Sequence, residues 1–316
     1  MVTALVVVAS YVSLGRYFIG YVEQYQQPLV DRFVEFTGLS ISVDRLHGHW
    51  SRLSPVLTME GLTLYRPSGD SSDADAVLTI GEVSFQLDPF QSIFNWLPQV
   101  HTLMVSDLDL ALEEVETGHW QLKGYPTQAL PDSPATGGDD FDAIVDLIMS
   151  VQAGELFNAR IQTFFSKGEE ARLTVKELSL NHRDEFRRLR INAIFDQSNS
   201  PLVAIVESSG DPREQDTFSA QAYINLDDVN FASQLPAAKV LGIESDDARI
   251  DGKVWLDWQP ESKISVQGLL QMPVLDIGAL SGIDLPPLND LAFGFRAEKT
   301  SAHDWQAWLP ILEANW

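Results

Sequence analysis

The stretch LTMEGLTL at residues 57–64 decides the fold of this chain, because its apolar residues are spaced by two, three and two positions. Side chains on a β-strand alternate between the two faces of a sheet, so each half of the stretch predicts a strand with one apolar face. The central spacing of three breaks that alternation. A β-bulge at Glu60-Gly61 would extrude one residue, bend the strand and return both halves to the same face.

The same spacing recurs along the chain, with Gly81-Glu82 at the centre of the second copy. Many strands bent in the same way predict a mainly β fold, an elongated and strongly bent antiparallel sheet with a few short helices. Little of the remaining chain is suited to cover the apolar face, so we expect an apolar groove. Its predicted lining residues are Leu57, Met59, Leu62 and Leu64; Leu78, Ile80, Val83 and Phe85; Leu103, Val105, Leu108 and Leu110; Leu173, Val175, Leu178 and Leu180; Ile224, Leu226, Val229 and Phe231; and Leu270, Met272, Leu275 and Ile277.

The composition excludes several classes of function. The chain of 316 residues has 45 Asp and Glu against 21 Lys and Arg, a formal net charge of -24. Nucleic acids are held by clustered cations, so no nucleic-acid partner is expected. There are no cysteines, which excludes disulfides, thiol nucleophiles and zinc-thiolate sites.

The N-terminal residues carry a membrane signature. Residues 2–22 are apolar apart from Ser, Thr and Arg16, and as a helix they would reach roughly 30 Å, the thickness of a bilayer core. A cleaved signal peptide is the alternative, but no basic segment precedes the run and no A-x-A-like cleavage site follows it. We therefore expect residues 1–23 to form an uncleaved transmembrane anchor.

The rest of the chain divides into three predicted segments. Residues 24–124 hold an amphipathic helix at 28–37, the first strands, and a turn or two of helix at 88–94. Residues 125–154 form a linker and an amphipathic helix that begins at Asp139. Residues 155–316 hold further strands, including one at 291–296, with short helices predicted at 236–241 and a helix or loop at 303–312. The chain ends at Trp316 without a polar capping unit, so we expect a fragment of a longer protein.

Three segments together resemble a known family. TGLSISV at 37–43, Leu46-x-Gly48-x-Trp50, and Pro55-x-Leu57-x-Met59-x-Gly61-Leu62 follow the apolar run as they do at the start of the AsmA-like YhdP family. Residues 171–196 and 248–257 are also similar to that family. The resemblance implies a bridge-like lipid transport protein with a chorein-like N-terminal cap, repeated β-groove units, a single inner-membrane span, and the bulk of the chain in the periplasm.

The expected function combines this resemblance with the apolar groove. It implies a conduit for phospholipid between the inner and outer membranes, with the inner membrane and other inner-membrane proteins as partners. The alternatives are an anchored scaffold or ligand-binding β-sandwich with a closed core, whose strands also alternate, and a glycosidase-like enzyme. We expect no catalytic residues, no cofactor and no metal.

Four other groups of residues are candidate sites. His47-x-His49 places two imidazoles on one strand face without a third ligand at a suitable spacing, which favours packing over metal binding. Asp257, between Trp255 and Trp258, suggests a sugar cleft, but strand alternation explains it more simply. Acidic pairs such as Asp227-Asp228 lack the spacing of a calcium loop. The arginines at 183, 187, 188 and 190 indicate a charged hairpin, or else a contact for lipid phosphate or a partner protein.

Overall fold

The computed structural model describes most of the chain from residue 40 onward and part of the N-terminal helical segment. The described residues are 13, 15, 17, 19–28, 30–31, 40–52, 54–65, 76–88, 99–116, 119–123, 149, 151–166, 170–183, 185–196, 198, 200–214, 216–230, 249–260, 263–275, 288–299 and 304–315.

Strands dominate the described residues, as the recurring spacing predicts. A 3-10 turn, Val22–Tyr25, lies among helical residues near the N-terminus. The strands are β1 Ser40–Ser42, β2 Arg45–Ser51, β3 Ser54–Tyr65, β4 Ala76–Asp88, β5 Gln99–Glu116, β6 His119–Leu122, β7 Ala153–Phe164, β8 Glu170–Arg183, β9 Phe186–Phe195, β10 Leu202–Ser209, β11 Ser219–Asn230, β12 Arg249–Gln259, β13 Lys263–Leu275, β14 Leu288–Lys299 and β15 Trp305–Asn315.

The strands belong to one 15-stranded sheet that follows the chain. Its hydrogen-bonded order is β1-β3-β4-β5-β7 and then β8 to β15 in sequence, while β2 pairs with β3 and β6 pairs with β5. Neighbouring strands are antiparallel, as in β3 with β4 and β8 with β9. The chain also divides into two compact units: unit 1 comprises Met1–Leu112 and Trp120–Ala159, and unit 2 comprises Glu113–His119 and Arg160–Trp316.

Two strands of unit 2 contain the β-bulge that the spacing predicts. The pairing of β8 with β9 shifts between Val175 and Glu177, at the central step of the fourth copy. The pairing of β11 with β12 shifts between Leu226 and Val229, at the same step of the fifth. There Asp228 has a φ of 51°, a left-handed conformation that Asp tolerates better than most residues, and its N–H donates to Asp251 Oδ1 at 2.7 Å. The predicted bulges at these two steps are confirmed.

The bend in unit 1 is built differently. The β3–β4 and β4–β5 pairings continue across the step of three without a register shift, so the expected extrusion of one residue per strand is wrong here. Instead, neighbouring strands interrupt the alternation of their side chains at matching positions across the sheet. The backbone φ is 65° at Gly61 and 54° at Asp107. A Cβ at Gly81 would lie 2.8 Å from the Cβ of Asp107, so glycine makes room for the bend of the next strand.

Several predicted helices lie mainly outside the described residues. These are the anchor, of which only 13, 15, 17 and 19–23 are described, the turn at 88–94, the helix at 139–151 apart from residues 149 and 151, and the helix at 236–241. Within the part of the chain that is described, no helix has the length and apolar content needed to cross a membrane. Of the helix predicted at 28–37, residues 28, 30 and 31 are described and helical.

The C-terminal prediction is wrong. Residues 303–312 were expected to form a short helix or loop, but β15 covers Trp305–Asn315 and pairs with β14. Pro310 and the tryptophans disturb a simple alternating pattern, and the β14–β15 register shifts twice to accommodate the strand. Backbone pairing with a neighbouring strand has therefore overridden the weak local signal.

Candidate functional site

Cross-strand pairing in unit 1 aligns the first three copies of the spacing into apolar rows. The pairings bring each position of β3 opposite its counterpart in β4, and each position of β4 opposite its counterpart in β5. All twelve residues therefore lie on one face, which we call the inner face. The rows are Leu57–Phe85–Leu103, Met59–Val83–Val105, Leu62–Ile80–Leu108 and Leu64–Leu78–Leu110.

The inner face of unit 2 is formed in the same way over more strands. Apolar positions of β8 to β14 stand opposite one another through six consecutive pairings. With strands about 4.8 Å apart, seven strands extend roughly 29 Å, about the thickness of both acyl-chain layers of a bilayer. Two such rows are Leu178–Ile191–Ala204–Ile224–Val254–Gly268–Phe295 and Leu180–Leu189–Val206–Ala222–Leu256–Val266–Ala297.

Most of the predicted lining residues are partly exposed. Phe231 and Ile277 lie outside the described residues, and the side chain of Leu275 is not described. Of the other twenty-one, sixteen are partly exposed and five are buried. Strand interiors in the middle of a sheet lose this exposure when a second layer packs on them. Among the described strands there is one sheet rather than two, and much of its inner face is accessible.

One end of the inner face in unit 2 packs against itself. Val229, Met272 and Leu291 form a buried cluster with Ile250, and Phe195 packs against it. This cluster lies at and beyond the bulge in β11, where bending draws side chains of different strands together. The bent sheet therefore combines a small closed core at this level with partly exposed apolar rows elsewhere.

Two glycines on the inner face of unit 2 make room for larger neighbours. Gly268 stands opposite Phe295, and a Cβ there would lie 2.5 Å from Phe295 Cε1. Gly252 stands opposite Leu270, whose Cδ2 would lie 2.6 Å from an added Cβ. The Phe295 ring and the Leu270 side chain thus lie over the backbone of the two glycines. The inner face is shallower at these positions but remains apolar.

The comparisons with known proteins bear on the identity of this fold. Residues 1–315 match the family model described as YhdP protein. The chain belongs to the YhdP family. No curated protein and no solved structure gives a significant match. The resemblance predicted from the segments around Gly38, Trp50 and Gly61 is therefore confirmed over nearly the whole length of this YhdP-family chain.

Helical residues lie over one end of the inner face in unit 1. Gly15 is so close to the indole of Trp50 that no side chain would fit between them. Ile19 lies near Gly48, which stands opposite Leu57 on the inner face. The glycines allow the helical segment to approach the sheet closely, so this segment covers the inner face at β2.

Gln26 fixes the end of that helical segment to the sheet. Its Nε2 donates to the Val43 carbonyl at 2.6 Å, and its Oε1 accepts from the Leu46 N–H at 3.1 Å. One amide thereby satisfies a backbone acceptor and a backbone donor on the two sides of the β1–β2 turn. The position of the covering segment is set by these two hydrogen bonds.

The basic cluster predicted at 183–190 is divided between the two faces. The β8–β9 hairpin pairs Arg183 with Phe186, which places Arg188 and Arg190 opposite to the inner face. Arg188 forms an ion pair with Glu207 at 3.6 Å. Arg187 lies at the end of the inner rows and donates to the Gly210 carbonyl at 2.7 Å. The four arginines do not form one cationic site.

Charge is concentrated on the opposite face and at the hairpin tips. In the β10–β11 loop, hydrogen bonds from Arg213 lower the pKa of the exposed Asp211 carboxyl to about 2, with Arg187 adding a smaller attraction. No comparable charged group interrupts the two seven-strand rows. The two seven-strand rows of unit 2 are therefore apolar along their length.

The histidine pair and Asp257 lie on separate strands, β2 and β12. His47 and His49 share a face of β2, as predicted, and His47 Nδ1 lies 3.6 Å from a Glu60 oxygen. Within the described ranges, no group of three or more His, Asp or Glu side chains is arranged to hold a metal ion. Asp257 lies two residues from Trp255 on the same face of β12, whereas the adjacent Trp258 lies on the other face, so alternation separates the two rings.

About half of the inner face lies on strands that the recurring spacing does not identify. The strands β9, β10, β12 and β14 lack the spacing of two, three and two, since β9 and β12 stand opposite the bulges of their neighbours and need no bulge of their own. Apolar residues at every second position are the pattern that identifies these four strands. The missed residues include Leu189, Ile191, Ala193 and Phe195; Leu202, Ala204 and Val206; Ile250, Val254 and Leu256; and Leu291, Phe293 and Phe295.

Proposed function

We propose that this protein conducts phospholipid by holding acyl chains against the inner faces of its two units. The observation that carries the proposal is the set of unbroken apolar rows whose side chains are partly exposed. A phospholipid with roughly 30 methylenes would lose on the order of 20 kcal/mol if its chains entered water, at about 0.8 kcal/mol per methylene. Contact with the rows offsets most of that cost.

The geometry of the rows favours movement over tight binding. Each row runs across the strands, and its members are apolar residues, most of them aliphatic. Hydrophobic contact is non-directional, so an acyl chain gains nearly the same free energy at each successive strand. A phospholipid can therefore shift along a row in small steps. The charged headgroup would remain in water at the edge of the sheet.

We further propose the location that membership of the YhdP family suggests. Residues 1–23 would anchor the chain in the bacterial inner membrane, and the sheet would lie in the periplasm, carrying lipid toward the outer membrane. The apolar run at 2–22 supports the anchor. Other inner-membrane proteins would deliver or receive the lipid.

The lipid content of the purified protein tests this proposal. The protein, exchanged from detergent into phospholipid bicelles and then re-isolated, is expected to retain glycerophospholipid when analysed by native mass spectrometry and by extraction with thin-layer chromatography. An anchored scaffold with a closed core, the alternative supported by the buried cluster around Val229, would retain none beyond the belt around its anchor. Removing the anchor by proteolysis after loading distinguishes lipid bound to the sheet from lipid in the belt around the anchor.

A further inference from the structure

The face opposite to the apolar rows in unit 2 contains a concave site centred on Trp255. The cavity has a volume of about 550 Å³, within the range of small-ligand sites. The Trp255 side chain is 41% exposed, although it lies in the middle of β12, between β11 and β13. A large aromatic side chain left exposed on a polar face indicates a contact surface.

Two adjacent rows build this site, one aromatic and one polar. Tyr223, Trp255 and Gln267 stand opposite one another on β11, β12 and β13. The rings of Tyr223 and Trp255 have centroids 5.6 Å apart and planes inclined at 46°, so they form a floor and a sloping wall. Gln221 and Asp257 form the neighbouring row on the same face. Hydrogen-bonding groups thus flank an exposed indole on two sides.

Two of the three charged side chains that line the site are paired with other residues of the protein. Arg296, which stands opposite Gln267, donates to Glu298 from both Nε and Nη2. Glu207 pairs with Arg188 at 3.6 Å. Asp257 keeps its acceptor oxygens, one of which accepts from Gln259 Nε2 at 2.8 Å. Two carboxylates, Glu207 and Asp257, and one guanidinium, Arg296, line the site, while Lys253 lies on the same face outside the lining. The lining therefore favours a neutral ligand that donates hydrogen bonds over an anionic one.

We propose that this face of unit 2 binds a neutral oligosaccharide, with Trp255 as the stacking platform. A sugar ring has an apolar face of C–H groups that packs on an indole and a rim of hydroxyls that both donate and accept. Gln221 and Gln267 supply donors and acceptors, and Asp257 supplies acceptors, at the rim of the platform. The proposal concerns binding without cleavage and is independent of lipid conduction, since it uses the other face of the sheet.

Titration with defined sugars tests the proposal. Cellotetraose, maltotetraose and N,N′,N″,N‴-tetraacetylchitotetraose serve as neutral probes and tetragalacturonic acid as the anionic probe, with binding to the full chain measured by calorimetry and by saturation-transfer NMR. At least one neutral probe is expected to bind saturably and more tightly than the anionic one. Trp255→Ala should weaken that binding by about tenfold or more, which corresponds to a loss of about 1.4 kcal/mol.

Matched variants separate the site from general effects. Trp120→Ala removes an indole of similar exposure in unit 1 and should leave sugar binding unchanged. Gln267→Leu, which keeps side-chain volume, should weaken binding even if Trp255→Ala misfolds. The lipid content of both site variants should equal that of the unaltered protein. Failure of every neutral probe to bind, preference for the anionic probe, or full binding by Trp255→Ala and Gln267→Leu would overturn the proposal.

Discussion

Replacing Leu108 with aspartate is expected to lower phospholipid retention by about a hundredfold while the sheet still folds. Leu108 is partly exposed and lies at the β5 end of the Leu62–Ile80–Leu108 row. An acyl chain lying on that row would remove water from the new carboxylate, at a cost of about 3 kcal/mol or more, which is a hundredfold in affinity. In the folded protein without lipid, the new carboxylate stays accessible to water. The loss of unfolding free energy should therefore be smaller than the loss of lipid-binding free energy.

The control for this variant lies on the same strand. Met104 is 40% exposed and faces away from the rows, so Met104→Asp changes the charge identically without entering the inner face. Lipid retention, measured as the ratio of bound phospholipid to protein by native mass spectrometry, should stay within about twofold for this variant. Ile224→Asp repeats the test in unit 2. Equal retention by Leu108→Asp and Met104→Asp, with both folded, would rule out lipid contact at this row.

Deletion of a single residue from β9 is expected to be far more damaging than deletion from the bulge of β8. Removing Asn192, which stands opposite Glu177, reverses the alternation of one half of β9. Either Leu189 and Ile191 turn outward or Phe195 leaves its cluster, each costing about 1.5 to 3 kcal/mol. We expect unit 2 to lose at least about 3 kcal/mol of unfolding free energy.

Removal of Lys176 instead deletes the extra residue at the β8 bulge. Val175 and Leu178 then stand two positions apart and keep the same face, so the strand straightens with its apolar side intact. Urea denaturation followed by far-UV circular dichroism should show a loss of no more than about 1.5 kcal/mol for this variant. A Lys176 deletion as destabilising as the Asn192 deletion would show that the spacing of three does not encode the bulge.

Much of the fold was predictable because one spacing recurs in the sequence. In LTMEGLTL the interval between Met59 and Leu62 contains a glycine, and the structure has a φ of 65° there. At Asp228 the same interval contains an acidic pair and no glycine. The role of Asp as a left-handed bulge residue, tied down by the side chain of Asp251, depends on the neighbouring strand. A single strand's sequence does not contain that information.

The mode of bending was not predictable, for a related reason. A spacing of three is compatible with an extruded residue or with two neighbouring strands that bend together. Val175 pairs with Ala193 on a strand that alternates regularly, so only β8 changes register. Met59 pairs with Val83 on a strand with the same spacing, so the two remain in register. The sequence of the neighbouring strand decides which of the two outcomes occurs. The strand pairing is seen only in the structure of the sheet.

Some polar positions also departed from simple alternation. Thr58 and Ser84 lie on the face opposite to Met59 and Val83, yet both are buried and their hydroxyl oxygens are 3.0 Å apart. The hydrogen bond between them satisfies both groups without water. The alternation of a strand does not predict the burial of these two polar side chains. Because it is buried, Ser84 is unsuitable as an exposed control position on the face opposite to the rows.

Photo-crosslinking from adjacent residues of the same strand tests the central claim most directly. Benzoylphenylalanine would replace Val105 and Leu270 on the inner faces, and Met104 and Leu269 on the opposite face, where these two side chains are 40% and 43% exposed. After irradiation in cells, phospholipid adducts identified by mass spectrometry are predicted at Val105 and Leu270 and not at their neighbours. Adducts of equal yield at all four positions, or none at the inner pair, would contradict the account.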